Sequence, residues 1–155
     1  MAKVVAIKIA TQKGVSPKPV ESGECIENFG LKGDAHAGNG KRQISLLAQE
    51  SIDKMAELGT EGLCTKKFVE NITTRGIKLH LLEVGTRLKI SNAEFEISQT
   101  GKECYKNCAI LDHADLCALA IECAFAKVIK GGSIKNGDKI EILGTKSIEY
   151  PLNYE

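Results

Sequence analysis

The residues best suited to chemistry in this sequence are its cysteines. Six are present, at positions 25, 64, 104, 108, 117 and 123, and two fall together in ISQTGKECYKNCAIL, residues 97–111. Cys104 sits among Lys102, Glu103, Lys106 and Asn107, a polar setting for a thiol. Lysine charges close to a thiol draw its pKa down from about 8.5 toward neutrality. The thiolate so formed can attack a sulfur donor to give a persulfide, or ligate a soft metal. Cys104 is therefore the first candidate for a working residue. On a helix, the four-residue step would stack Cys104 and Cys108 on one face. Cys108 then reads as a resolving thiol. Alternatively, Cys104, Cys108 and Cys117 with His113 make up a tetrahedral zinc site. Zinc motifs usually pair their ligands in two tight knuckles, which Cys117 and His113 do not form, so zinc is the lesser alternative. Cys25, Cys64 and Cys123 are expected in the core.

Two further stretches carry polar residues of the right kinds. GLKGDAHAGNGKR (30–42) has four glycines, so its backbone must turn tightly or approach something closely. It is not a P-loop: Ala35 stands at the first glycine position before Gly40-Lys41, and Arg42 replaces the hydroxyl residue. No long helix starts there to offer an N-terminal phosphate site. What remains is a tight loop presenting Asp34, His36 and Arg42, which on residue types alone suits solvated turn charges at least as well as a ligand. In FVENITTRG (68–76), Asn71, Thr73 and Thr74 suit hydrogen bonding to a ligand's edge, and Arg75 suits an anion. They suit the turn's own backbone nearly as well.

Short strands dominate the elements that must position these groups. KVVAIKI (3–9) reads as a strand and TQKGVSPKPVESG (11–23) as a loop. ECIENF (24–29) reads as a short strand, and QISLL (43–47) as a strand leading into the helix AQESIDKMAEL (48–58). FVENITTRG reads as irregular. TRLKI and AEFEISQ alternate so that Leu88, Ile90, Phe95 and Ile97 share a face across a tight Ser91-Asn92 turn. DLCALAIECAF (115–125) reads as a buried helix. FAKVIK and KIEIL read as closing strands around GGSIKNGD, with a turn at Asn136-Gly137. The expected fold is mainly β, barrel- or sandwich-like, with one or two short helices and no βαβ rhythm. One domain is expected over 1–155, with its core at about 3–143 and residues 144–155 as a tail.

At 155 residues and 43% hydrophobic composition, the chain can build its own core. A net charge of +1 gives no broad nucleic-acid or membrane footprint. MAKVVAIKIA is interrupted by Lys3 and Lys8 and offers no signal-peptide core, and no run approaches the roughly 18 apolar residues of a membrane helix. A cytoplasmic location is expected, with no nucleic-acid or membrane partner. In a reducing compartment stable disulfides are not expected.

Taken in order, GLKGDAHAG with RQISLL, FVENITTRGI, VGTRLKI, ISQTGKEC and FAKVIKGGSIKNGD resemble the MOSC domain, named for the C-terminal part of molybdenum-cofactor sulfurases. The resemblance spans roughly residues 25–143 and implies a β-barrel-type domain of the stand-alone bacterial kind. It implies binding of the molybdenum cofactor (molybdopterin) or carriage of sulfur for it, with the family's catalytic cysteine at Cys104, ligating molybdenum or bearing a persulfide. Cys108 and Cys117 match the further cysteines of that branch, although ALAIEC before AFAKV departs from its pattern. On this basis Arg42 is expected to hold the cofactor's phosphate and His36 to carry a proton. Asp34, Asn71, Thr73, Arg75 and Lys102 are expected to contact the cofactor, Asp34 also locking its loop. Expected partners are a cofactor-biosynthesis protein, a molybdoenzyme or a cysteine desulfurase. The alternatives are a molybdenum-dependent oxidoreductase reducing N-hydroxylated compounds with a partner electron donor, a sulfurtransferase-like enzyme, or a non-catalytic domain with structural zinc.

Overall fold

The structure, a computed structural model, describes residues 2–13, 17–38, 40–57, 70–101 and 122–144. In chain order the strands are β1 (Lys3–Ile9), β2 (Lys18–Val20), β3 (Ser22–Ile26), β4 (Gly30–Leu31), β5 (Ile44–Ala48) and β6 (Ile72–Arg75). They continue with β7 (Arg87–Ile90), β8 (Ala93–Thr100), β9 (Ala124–Lys130), β10 (Gly132–Lys135) and β11 (Ile140–Gly144). One α-helix, α1 (Gln49–Glu57), follows β5, and a 3-10 turn spans Leu79–Leu81. The fold is mainly β, as expected.

Eight strands form one sheet in the order β11-β7-β8-β9-β5-β6-β1-β2. The sheet curls until β1 meets the residues entering β11, where Lys3 bridges Lys139. Val4 N donates to the Asp138 carbonyl at 2.8 Å and Ile140 N to the Ala2 carbonyl at 2.9 Å, so the first and last strands meet as a barrel requires. The interior is filled by Val4, Ile7, Ile44, Leu46, Ile72, Leu88, Ile90, Phe95 and Ile97, all buried in one cluster. They lie at alternate strand positions, except that an irregularity between Val4 and Ala6 turns both Val4 and Ile7 inward. Each such side chain contributes about 1.5–3 kcal/mol on burial. Leu88, Ile90, Phe95 and Ile97 share the inner face as their alternation predicts, and the turn between their strands places Ser91 at φ 55°.

A smaller sheet, β10-β3-β4, packs beside the barrel. Gln43 fastens it: the Gln43 side-chain carbonyl accepts from Val128 N, and its amide nitrogen donates to Asn28 Oδ1, each at 3.0 Å. Cys25 and Cys123 are buried, as expected; Cys64 lies outside the described residues.

Three readings of the sequence change. FVENITTRG is not irregular throughout: Ile72–Arg75 is strand β6, between β5 and β1. Its β-branched residues make good strand positions, although the flanking Asn71 and Gly76 mimic turn signals. β5 and β6 pair in parallel, with Leu46 opposite Ile72, so a crossover containing α1 joins them and the chain has one β-α-β step after all. Gly132–Lys135 and Lys18–Val20 are strands within stretches read as loops. Both are short, and the second carries Pro19 and pairs only with β1, a position where proline is tolerated. Helix α1 forms at the expected place, while most of DLCALAIECAF lies outside the described residues and its last two residues, Ala124 and Phe125, open β9.

Candidate functional site

On the outer face of the sheet a second buried layer covers β9, β5 and β6. Ser45 and Leu47 alternate with the inward-facing Ile44 and Leu46, yet both are buried. Phe125 lies opposite Ser45, and Thr73 opposite Leu47. Strand alternation therefore places Phe125, Ser45, Leu47 and Thr73 on one face. A polar group on such a face must find a partner or remain unsatisfied. Among the described residues, the Thr73 hydroxyl, on a residue 1% exposed, has no hydrogen-bond partner; nor does that of Thr74, which alternation turns toward the interior.

Arg42 lies over this layer. Its guanidinium carbon stands 4.6 Å from the centroid of the Phe125 ring, a cation–π geometry. Arg42 Nε donates to Gln99 Oε1 at 3.3 Å, and Gln99 is opposite Phe125 in the β8–β9 pairing. The same Gln99 amide donates through Nε2 to the Gly101 carbonyl at 2.8 Å. Alongside, the Ser98 hydroxyl donates to the Lys41 carbonyl. The chain from Lys41 to Arg42 is thus fastened to the last residues of β8, where the cysteine-bearing stretch begins. Among the described residues, nothing accepts a hydrogen bond from the two Nη groups of Arg42. What the arrangement offers is a planar cation, fixed in position, with a pair of donors suited to a phosphate or carboxylate.

Asp34 and Asn71 both bind the end of β1. Asp34 Oδ1 accepts from Ala10 N at 3.0 Å and Oδ2 from His36 N at 3.2 Å, so this buried carboxylate locks its loop. His36 Nδ1 is 3.8 Å from Asp34 Oδ2, and the ring is partly exposed. Gly30 allows the loop to close: at φ 133°, a Cβ there would stand 2.6 Å from the Gln43 carbonyl oxygen. Asn71 Oδ1 accepts from Ser45 N (3.0 Å) and Ser45 Oγ (3.2 Å), while Nδ2 donates to the Lys8 carbonyl (3.2 Å). Its amide splices β1, β5 and β6, which leaves little of it for a ligand. Arg75 ends β6, exposed and opposite Lys3. By register it sits beside the end of β5 while Arg42 precedes its start, roughly 20 Å away at the strand rise. The two arginines therefore do not serve one anion.

Lys102, Cys104, Cys108, His113 and Cys117 lie outside the described residues. Among the described residues, no group of three or more His, Cys, Asp or Glu side chains is placed to hold a metal. Sequence reasoning missed Gln99 and Phe125. Gln99 reads as one more polar strand position, and Phe125 is indistinguishable from a helix core residue until β9 is known.

A curled, nearly closed sheet, with a glycine-rich loop brought to the strand end that precedes a cysteine segment, defines a β-barrel domain built to present loops. The MOSC domain profile matches residues 32–141, and the chain belongs to that family, which is associated with the molybdenum cofactor. Among solved structures, the chain is similar to the YuaD protein from Bacillus subtilis, with a TM-score of 0.71 and 20% identity over 92% of this chain and 96% of that one. It is also similar to YiiM from Geobacillus stearothermophilus (TM-score 0.63, 16% identity, 92% and 75%). YiiM from Escherichia coli gives a TM-score of 0.56 and 20% identity over 92% and 70%. At these identities the likeness concerns the fold. No curated protein matches. Among the described residues, no helix is long and apolar enough to cross a membrane.

Proposed function

We propose that this chain binds the molybdenum cofactor over the outer face of β9, β5 and β6, with Arg42 gripping the phosphate and Cys104 supplying a thiolate. The observation that carries this reading is Arg42 itself: it is stacked on Phe125, its Nε is spent on Gln99, and its Nη pair meets no acceptor among the described residues. The Thr73 hydroxyl, unpartnered among the described residues, fits the same group, since a buried donor without an acceptor is satisfied by a polar ligand edge. By strand spacing Thr73 lies roughly 10–12 Å from Phe125, a span a pterin with its phosphate can bridge. When bound, the cofactor would supply a metal centre for redox or sulfur chemistry. The chain's own residues would bind the phosphate, orient the pterin and deliver sulfur at Cys104 Sγ, either as metal ligand or as persulfide carrier.

Replacing Arg42 by Met should weaken cofactor retention about tenfold or more, the worth of losing charge-assisted hydrogen bonds. Arg42→Lys should fall between the two, because a point charge replaces a fork. Retention is read by fluorescence of the oxidised pterin released from purified protein. Retention by the Arg42→Met variant equal to the parent's would overturn the phosphate assignment. Cys104→Ser, exposed to a cysteine desulfurase, should gain no sulfur by mass; a gain equal to the parent's would remove Cys104 from the mechanism.

A further inference from the structure

Gln99 holds a donor on one side and an acceptor on the other. Arg42 Nε can only donate, and the Gly101 carbonyl can only accept. The orientation of the amide is therefore forced, with oxygen to Arg42 and nitrogen to Gly101. Among side chains of this length, neither a carboxylate nor a hydrocarbon can meet both neighbours. Gly101 is itself constrained: it adopts φ 72°, the left-handed region, and its N–H donates to the Cys123 carbonyl at 2.8 Å. Gly101 is thus held from both its ends, by Cys123, just before β9, through the N–H and by Gln99 through the carbonyl. Cys104 lies three residues further along the chain.

We propose that Gln99 is a positioning residue that couples the anion grip of Arg42 to the backbone from which the Cys104 segment departs. An anion drawn to the Nη pair shifts or stiffens the guanidinium, and the Nε bond passes this to Gln99 and through its amide to Gly101. The proposal rests on the reading of Arg42 as an anion site. Gln99 need not touch the ligand for this to hold.

The test uses inorganic phosphate as the probe and the iodoacetamide alkylation rate of Cys104 as a function of pH as the readout. Four full-length proteins are compared: the parent, Arg42→Met, Gln99→Met and Gln99→Glu. In the parent, saturating phosphate should change the Cys104 rate or its apparent pKa, with a coupling factor of about fivefold or more. In Gln99→Met, phosphate should still bind, by calorimetry, while the Cys104 response disappears. Gln99→Glu keeps an acceptor for Arg42 but sets a carboxylate oxygen against the Gly101 carbonyl, so it should lose the response too. It also provides a second variant should Gln99→Met fold poorly. A purely structural role for Gln99 would lower the melting temperature and leave the response intact. If the Gln99 variants respond to phosphate as the parent does, coupling through Gln99 is wrong and the anion site stands. If the parent and Arg42→Met bind phosphate equally, or neither binds it, the Arg42 reading fails and the coupling with it.

Discussion

Cys25 stands on β3, between Gly132 of β10 and Leu31 of β4, and its side chain is buried in the hydrophobic core. Burial, with the neighbouring Glu24 charge, pushes its thiol pKa up to about 12. At pH 8 the thiolate fraction is then on the order of one in ten thousand. Iodoacetamide at pH 8 should therefore leave Cys25 unmodified in the folded protein and label it after denaturation, as peptide mass spectrometry will show. Asn71 and Thr73, two residues apart, should behave oppositely. Asn71→Ala strands the buried Ser45 N–H and should cost about 2–4 kcal/mol, read as a drop in melting temperature. Thr73→Val removes a hydroxyl that has no partner among the described residues, so it should melt at the parent's temperature or above. If the cofactor reading holds, the same variant retains less cofactor, and loss of stability without loss of cofactor would count against it. Neither behaviour is legible in the sequence. Both residues sit in a polar run beside Gly76, and only the pairing with β5 and β1 separates a splice from an unused hydroxyl.

Among the elements, α1 is tied to the return of the chain into β9 by one carboxylate. Glu122 accepts from the Ser51 hydroxyl at 2.6 Å and from Lys54 Nζ at 2.5 Å. Burial alone would raise its pKa, but the hydrogen bonds from Lys54 and Ser51, with the charges of Lys54 and His80, outweigh this and lower it below the ordinary 4.5. A depressed carboxylate stabilises the fold fully above its unfolded pKa, and that contribution fades as pH falls through the folded one. Between neutral pH and pH 4.5 the contribution should hold; at more acid pH the parent should lose stability that Glu122→Gln does not. Melting temperatures measured from pH 7 down to pH 3 would check the convergence of the two proteins. The helix was legible because Ile52 and Met55 follow helical spacing after a strand-like run. β6 was not, since four residues bounded by Asn and Gly carry too little periodicity to declare a strand. The parallel pairing of β5 with β6 was hidden for the same reason.

For the molecule as a whole, β11 shows where the barrel's continuity ends. Ile140 is buried beside β1, whereas Ile142, two residues on, is 55% exposed. Ile140→Lys should unfold the protein or lower its melting temperature sharply. Ile142→Lys should change stability by no more than about 0.5 kcal/mol, as at ordinary surface positions. A mainly β fold, barrel- or sandwich-like, was readable from strand spacing and turns, with the barrel implied by the family resemblance, and the glycine-rich loop and the cysteine run announced themselves as residues of interest. Their meeting through Gln99 was not readable, because it depends on which strands become neighbours, a property of the whole sheet rather than of any stretch. One rung of that sheet also bears on how such a chain can change over time. The Gly101–Cys123 hydrogen bond extends the β8–β9 pairing by one rung and joins the end of β8 to the approach to β9. The rung fixes the two ends of the intervening sequence, and closure entropy rises only as (3/2)RT ln n with the number n of residues between them. Changing the length of that sequence, which carries three of the six cysteines, should therefore cost closure of the rung only about 0.6 kcal/mol per doubling.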